Sequence, residues 1–200
     1  MKGVGRSMVR SLWLLGLAVA IAILPSGVST TAEIKTAPGV SYTVYAMGLD
    51  GPRGLLFAPS GDLYVAETGG NRVAKVTRDG TVTTYIAGLS APVDLDFAPQ
   101  GELLVCELGS GQVKAFRSPN RSRIFASGLQ GPHGLAIGRS GDLYVAQPQV
   151  GKVSRIKPDG SLSVLAEGLS GPRDPAFDAR GNLYFAETGA GRILKFTEEF

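Results

Sequence analysis

The sequence predicts an all-β protein, a β-propeller in which each of four blades contains 40 residues and four strands. Two observations predict it. Short motifs recur every 40 residues, and glycine, with 28 of 200 residues, is abundant enough to punctuate frequent turns. Hydrophobic residues make up 44% of the chain, which is enough for a packed core. A four-stranded sheet of this size cannot bury both faces alone, whereas copies stacked around an axis can.

The 40-residue period runs unbroken along the chain. A Gly-Leu pair marks the start of each repeat, near residues 48, 88, 128 and 168. A proline follows each pair, at Pro52, Pro92, Pro132 and Pro172. A second glycine, an acidic residue or asparagine, and a leucine recur at 61–63, 101–103, 141–143 and 181–183. This regularity indicates four equivalent structural units.

Each repeat contains four short apolar or β-branched runs separated by turn residues, which is the pattern of successive strands. In the first repeat these runs are residues 54–58, 63–66, 72–76 and 82–87. The second run is apolar throughout and predicts a strand that is buried on both faces.

The phase of the repeat predicts how the ring closes. Residues 42–47 align with a fourth strand, whereas the last run, residues 192–196, aligns with a third strand. We therefore expect residues 42–47 to join the C-terminal blade and to remove its exposed edge.

The N-terminus has the pattern of an export signal. Lys2, Arg6 and Arg10 precede an apolar run over residues 12–24, which is too short for a bilayer core of about 30 Å. We expect a signal peptide at 1–32, a linker at 33–40 and the propeller at 41–200. The protein would then be secreted or periplasmic, without membrane contact after cleavage. An uncleaved N-terminal anchor is the alternative.

The charge balance argues against nucleic acid as a partner. From Glu33 onward the chain has 17 basic and 17 acidic residues, so the propeller has no net charge. The single cysteine, Cys106, cannot form an internal disulfide. It replaces an alanine of the sister repeats within a predicted buried strand, which indicates a packing role.

Residues 51–73, GPRGLLFAPSGDLYVAETGGNRV, resemble the NHL repeat. The chain is also similar to propellers of the senescence-marker-protein–gluconolactonase superfamily, over about residues 42–200. The resemblance implies the fold but leaves function open, because that superfamily includes lactonases, lyases, sensors and interaction modules. Its members usually have six blades. A truncated gene, or a homodimer that completes a larger ring, is therefore an alternative to four closed blades.

Two sets of residues are expected near the mouth of the central channel, where the innermost strands begin. Each residue of the first set directly follows the proline that recurs every 40 residues. These residues are Arg53, Val93, His133 and Arg173. We expect Arg53 and Arg173 to bind ligand. The second set ends each second strand: Glu67, Glu107, Gln147 and Glu187. Because it recurs in every repeat, we expect these carboxylates to cap the next turn and meet the basic or polar residue five positions later. Alternatively, Glu67 and Glu187 bind a divalent cation.

Residues that break the repeat are further candidates. His133 is the only histidine and could act as a general base, although a lone histidine is more often simply hydrogen-bonded. Its Pro-His-Gly context resembles the streptogramin-lyase branch of these propellers, which implies a metal and acid–base site. Asp94 and Asp174 are candidate ligands for calcium or zinc. Salt bridges from these aspartates to Arg53 or Arg173 are the alternative.

The near-regular blades favour a binding module whose ligand is a small molecule or a protein at the propeller face. The alternative is a divalent-metal-dependent, lactonase-like hydrolase or lyase at the channel mouth. No other cofactor is expected. Convergence of Asp94, Asp174 and His133 would favour the enzyme, whereas separate salt bridges to the arginines would favour the module.

Overall fold

A computed structural model of the chain describes residues 34–197, which contain strands, turns and bends. Residues from Val44 onward form the propeller unit, and those up to Thr43 fall into a separate unit. The predicted signal peptide lies outside the described residues. Within residues 34–197, no helix is long and apolar enough to cross a membrane.

Fifteen strands make up the described part of the propeller. The innermost strands of the blades are β1 (Pro52–Phe57), β5 (Pro92–Phe97), β9 (Leu135–Ile137) and β13 (Pro172–Phe177). The second strands are β2 (Leu63–Glu67), β6 (Leu103–Glu107), β10 (Leu143–Gln147) and β14 (Leu183–Glu187). The third strands are β3 (Arg72–Val76), β7 (Gln112–Ser118), β11 (Lys152–Ile156) and β15 (Arg192–Phe196). The outermost strands are β4 (Val82–Ile86), β8 (Arg121–Ala126) and β12 (Leu162–Ala166).

The strands pair in chain order as antiparallel meanders, which confirms the predicted all-β propeller and its 40-residue blades. The apolar second strands are the most buried strands of blades 1 to 3, as their composition predicts. Pro175 is accommodated within β13 because that innermost strand pairs only with β14.

Apolar side chains between neighbouring blades form the core. Between blades 1 and 2, Tyr64 and Val73 pack with Leu95 and Val105. Equivalent clusters join blades 2 and 3, and blades 3 and 4. Each blade interface therefore fixes the relative position of two innermost strands, and with them the residues at the channel mouth.

The predicted closing strand is wrong. Residues 42–47 contain no strand, and the fourth blade has three strands rather than four. The segment instead packs against blade 1, where the Tyr45 hydroxyl donates to the Thr77 carbonyl at 3.1 Å and Ala46 contacts the cluster around Val65. Ala126, which is two periods later in the chain, lies in the equivalent cluster, which contains Val145 of blade 3. The Tyr45 hydrogen bond and the partly buried Ala46 thus connect the segment to blade 1, and it makes no ladder with β15.

The terminal blades each leave apolar side chains exposed. Leu55 is 62% exposed in blade 1, whereas Leu95 at the matching position is buried. Ile193 is 66% exposed in blade 4, whereas Val113 at its matching position is buried. A second copy that completes a larger ring would cover such faces. The homodimer stays a prediction, which native mass spectrometry of the purified chain measures directly.

Candidate functional site

Three blades bring basic side chains together where their innermost strands begin. Arg53 Nη1 of blade 1 lies 3.3 Å from His133 Nε2 of blade 3. His133 Nδ1 lies 3.8 Å from Asp174 Oδ1 of blade 4, and the charge of Arg173 also acts on the imidazole. We call Arg53, His133, Arg173, Asp94 and Asp174 the mouth cluster. The cluster contains every residue predicted to bind ligand and the predicted general base.

The contacts of His133 indicate which nitrogen carries its proton. A guanidinium can only donate, so Nε2 of a neutral ring accepts from Arg53 and Nδ1 carries hydrogen toward Asp174. Burial lowers the pKa of His133, and the charges of Arg173 and Arg53 lower it further, whereas Asp174 opposes them. The imidazole is therefore neutral at pH 7, with its one lone pair, on Nε2, directed at Arg53.

Asp94 is half-buried and lies beside the loop that contains His133. Its Oδ2 accepts from the Leu135 amide and its Oδ1 from the Leu95 amide, both at 2.9 Å. Burial raises the pKa of Asp94 from its usual value of 3.8 to about 6, and the charges of Asp174 and Asp96 act in the same direction. The two amide hydrogen bonds oppose the shift only in part. Asp94 thus ties blade 2 to blade 3.

Glycine alternates with aspartate at one repeat position, a feature that the sequence analysis missed. A Cβ placed on Gly54 would lie 2.7 Å from Asp94 Cα, and one placed on Gly134 would lie 2.9 Å from Asp174 Cα. At both positions only glycine allows the backbone of the next blade to come this close. The signal was present in the sequence, because residues 54, 94, 134 and 174 read Gly, Asp, Gly, Asp.

The polar residues that end the second strands are all buried. Each accepts a hydrogen bond from the amide 17 residues earlier, in the loop that opens its blade. These pairs are Asp50 with Glu67, Ser90 with Glu107, Gln130 with Gln147, and Ser170 with Glu187. The expected contact with a residue five positions later forms from Arg72 to Glu67, at 3.0 Å, and from Arg192 to Glu187. In blade 2, Lys114 takes this role instead. These side chains therefore hold the opening loop of every blade, and Glu107 also accepts from the Ser110 hydroxyl in the turn that follows, at 2.6 Å.

The four carboxylates proposed for a metal do not form one group. Glu67 and Glu187 each bind an opening-loop amide and an arginine, and Asp94 binds two amides. Across residues 34–197, no three His, Cys, Asp or Glu side chains lie together as a metal site would require. As arranged, these residues do not fit a calcium or zinc ion. Metal uptake by the chain stays a prediction.

The expected alternative for the aspartates, pairing with arginine, does not form either. In the part of the chain that the structure describes, Arg53 and Arg173 make no salt bridge with a carboxylate. Cys106 is fully buried and burial raises its pKa, in keeping with the predicted packing role. Of the residues predicted to form the functional site, Arg53, His133 and Asp174 are thus brought into mutual contact, whereas Glu67 and Glu187 have separate partners.

The fold is shared with several propellers of known structure. A catalytically inactive virginiamycin B lyase from Staphylococcus aureus, solved with quinupristin, is 24% identical with a TM-score of 0.65, and the match covers 73% of this chain and 52% of the lyase. A gluconolactonase from Xanthomonas campestris is 22% identical with a TM-score of 0.68, covering 76% and 60% of the two chains. A chain of a nidogen/laminin complex is 16% identical with a TM-score of 0.65, covering 72% and 60%.

The chain has the β-propeller fold of these lyases and lactonases. It spans between half and three-fifths of their length. No protein-family profile matches the chain, and no curated protein sequence does. The predicted likeness to gluconolactonase-type propellers is therefore confirmed for the fold.

Replacing Glu67 tests the role of the buried carboxylates. Glu67→Ala leaves the Asp50 amide and the Arg72 guanidinium without their acceptor, and we expect it to lower the free energy of unfolding by about 1–3 kcal/mol. Urea denaturation measures the change. Glu167→Ala is the matched control, because that glutamate is exposed and pairs only with Lys152. Equal stability of the two variants would contradict the role assigned to Glu67.

The raised pKa of Asp94 predicts a pH-dependent stability. Between about pH 4 and pH 6 the folded protein holds a proton on Asp94 that the unfolded chain releases, so this group's contribution to stability falls as pH rises. Asp94→Asn removes the titration. The difference in urea midpoint between wild type and Asp94→Asn should change across this range and level off above it. Parallel profiles across pH 4–7 would rule out the assignment.

Proposed function

We propose that the protein is an exported propeller that binds a small anionic molecule at the mouth of its channel. The observation that carries the proposal is the approach of Arg53 and Arg173 to His133, with no carboxylate neutralising either arginine within residues 34–197. Two neighbouring guanidinium groups that no carboxylate neutralises favour an anion that accepts paired hydrogen bonds. The N-terminal basic and apolar segment supports export.

The other members of the mouth cluster favour a ligand that also has hydroxyl groups. Asp174 is 76% exposed and its carboxylate can accept hydrogen bonds from such groups. The Nδ1 hydrogen of the neutral His133 imidazole can be donated to a ligand oxygen. A hydroxycarboxylate matches this combination of positive and acceptor groups. The shared fold with a gluconolactonase supports sugar acids as the first class to test.

A second candidate function is a lactonase-like or lyase-like reaction at the same site. The observation that favours it is the pairing of a neutral His133 with Asp174, at 3.8 Å, which is the composition of an acid–base pair. In this scheme the substrate draws Arg53 away from Nε2 of His133, which then accepts a proton from water or substrate, and Asp174 stabilises the imidazolium that forms. The residues do not form a metal site as arranged, so no step here uses a metal.

Gluconate binding, measured by isothermal titration calorimetry, tests the first proposal. We expect Arg53→Gln and Arg173→Gln each to weaken binding by about tenfold or more, because each removes a charge-assisted contact. Arg180→Gln, on an exposed turn, is the charge-matched control and should bind like wild type. If wild type fails to bind gluconate, or if all three variants weaken equally, the proposed ligand class is wrong.

The same protein, assayed with glucono-1,5-lactone and with quinupristin, distinguishes module from enzyme. An enzyme would accelerate one of these reactions, and His133→Ala would remove the acceleration, whereas the control Arg180→Gln would keep it. Assays with EDTA, calcium and zinc measure any metal requirement. Binding without turnover under all these conditions would leave the module as the function.

A further inference from the structure

We propose that the outer edge of blade 2 contains a separate site for a phosphate-type dianion, built from Arg117, Arg121 and Arg123. This site is independent of the mouth cluster and of the function proposed for it. The arginines belong to β7 and β8, the two strands farthest from the channel in this blade.

Blades 1 and 3 neutralise an acidic residue before the second strand in the same way. Lys75 of β3 pairs with Asp62 at 2.8 Å, and Arg155 of β11 pairs with Asp142. In each case the base comes from the third strand and covers the carboxylate. Blade 2 keeps the acid, as Glu102, but has Ala115 where the sister blades have Lys75 and Arg155.

The missing long side chain is replaced from farther out on the blade. Arg117 Nε and Arg123 Nη2 each lie 2.9 Å from a different oxygen of Glu102, which is buried. The sister blades have threonine, serine or lysine at the positions of these arginines. A cavity of about 160 Å³ remains beside Ala115. Its lining residues are Glu102, Ala115, Arg117, Arg121, Ser122 and Arg123.

The electrostatic balance of this cavity favours a second negative charge. Glu102 neutralises one of three guanidinium groups, and in the described part of the chain Arg121 makes no salt bridge. One arginine would have been enough to replace the lost ion pair. The chain instead supplies three, so the lining has an excess of two positive charges.

Two of the three guanidinium groups, those of Arg117 and Arg123, are also held in place before any ligand arrives. Glu102 binds Arg117 and Arg123 at once, and Arg123 additionally lies over the Phe125 ring at 4.9 Å. A guanidinium has five N–H donors, so each retains free donors after its contact with Glu102. Preorganised arginine forks suit tetrahedral oxyanions, and a phosphate monoester has close to two charges at pH 7. The volume also leaves room for bound water.

Isothermal titration calorimetry with inorganic phosphate and with glucose 6-phosphate tests the site. We expect saturable binding by the full chain, weakened at least tenfold by Arg121→Ala. Ala115→Lys restores the side chain of the sister blades, and should fill the cavity and abolish binding while keeping the fold. Arg78→Ala, on the corresponding hairpin of blade 1, removes the same charge away from the cavity and should have no effect. Arg53→Gln changes the mouth cluster and not this cavity, so it should bind phosphate like wild type.

Each outcome is informative. Stronger binding of glucose 6-phosphate than of inorganic phosphate would identify a phosphorylated small molecule as the ligand, and the reverse would identify the free anion. Both support the proposal. No saturable binding by wild type would overturn it. So would equal weakening by Arg121→Ala and Arg78→Ala, or wild-type affinity in a folded Ala115→Lys variant, because binding would then depend on surface charge alone.

Discussion

The structure depends on one recurring interaction, the hydrogen bond between a buried side chain at the end of each second strand and the loop that opens the same blade. Glu67, for example, accepts from the Asp50 amide, which lies two residues before β1, the strand that contains Arg53. The acceptor is buried, so the loop cannot leave it without exposing an unpaired group to an apolar interior. Repetition of this bond in four blades brings the starts of the innermost strands to one place. The mouth cluster is the consequence.

Most of the fold follows from local pattern, and its one failure has a physical cause. The unbroken period and the apolar second strands predict the blades and their strands to within a few residues. Residues 42–47 match a fourth strand equally well, yet pattern cannot say which neighbour such a segment contacts. Ala46 is partly buried against blade 1, and the segment makes no ladder with β15. Ring closure depends on distances between terminal blades, which no local pattern contains.

The site was predictable in composition but not in contacts. Arg53, His133 and Arg173 were predicted as site residues because each follows the proline that opens its blade, and equivalent residues of all blades meet at one end of the channel. Which side chains touch was not predictable. Asp94 binds the Leu135 amide rather than an arginine, since the neighbouring blade brings that amide within reach. The glutamates were assigned both a scaffold and a metal role from sequence, and only their burial and partners distinguish these.

Because the blades repeat, each blade is a reference for the others. Residues that differ from their counterparts in the sister blades fall into two kinds, those that add a side chain and those that remove one. Asp94 and Asp174 add a functional group where Gly54 and Gly134 leave space, so the new side chain and its room arise in neighbouring blades. Ala115 instead removes a side chain, while three arginines enter from the edge of the same blade. A change that only preserved stability would restore one ion pair. Because blade 2 restores the pair and adds further positive charge beside a cavity, its departure is better explained by a ligand than by the scaffold.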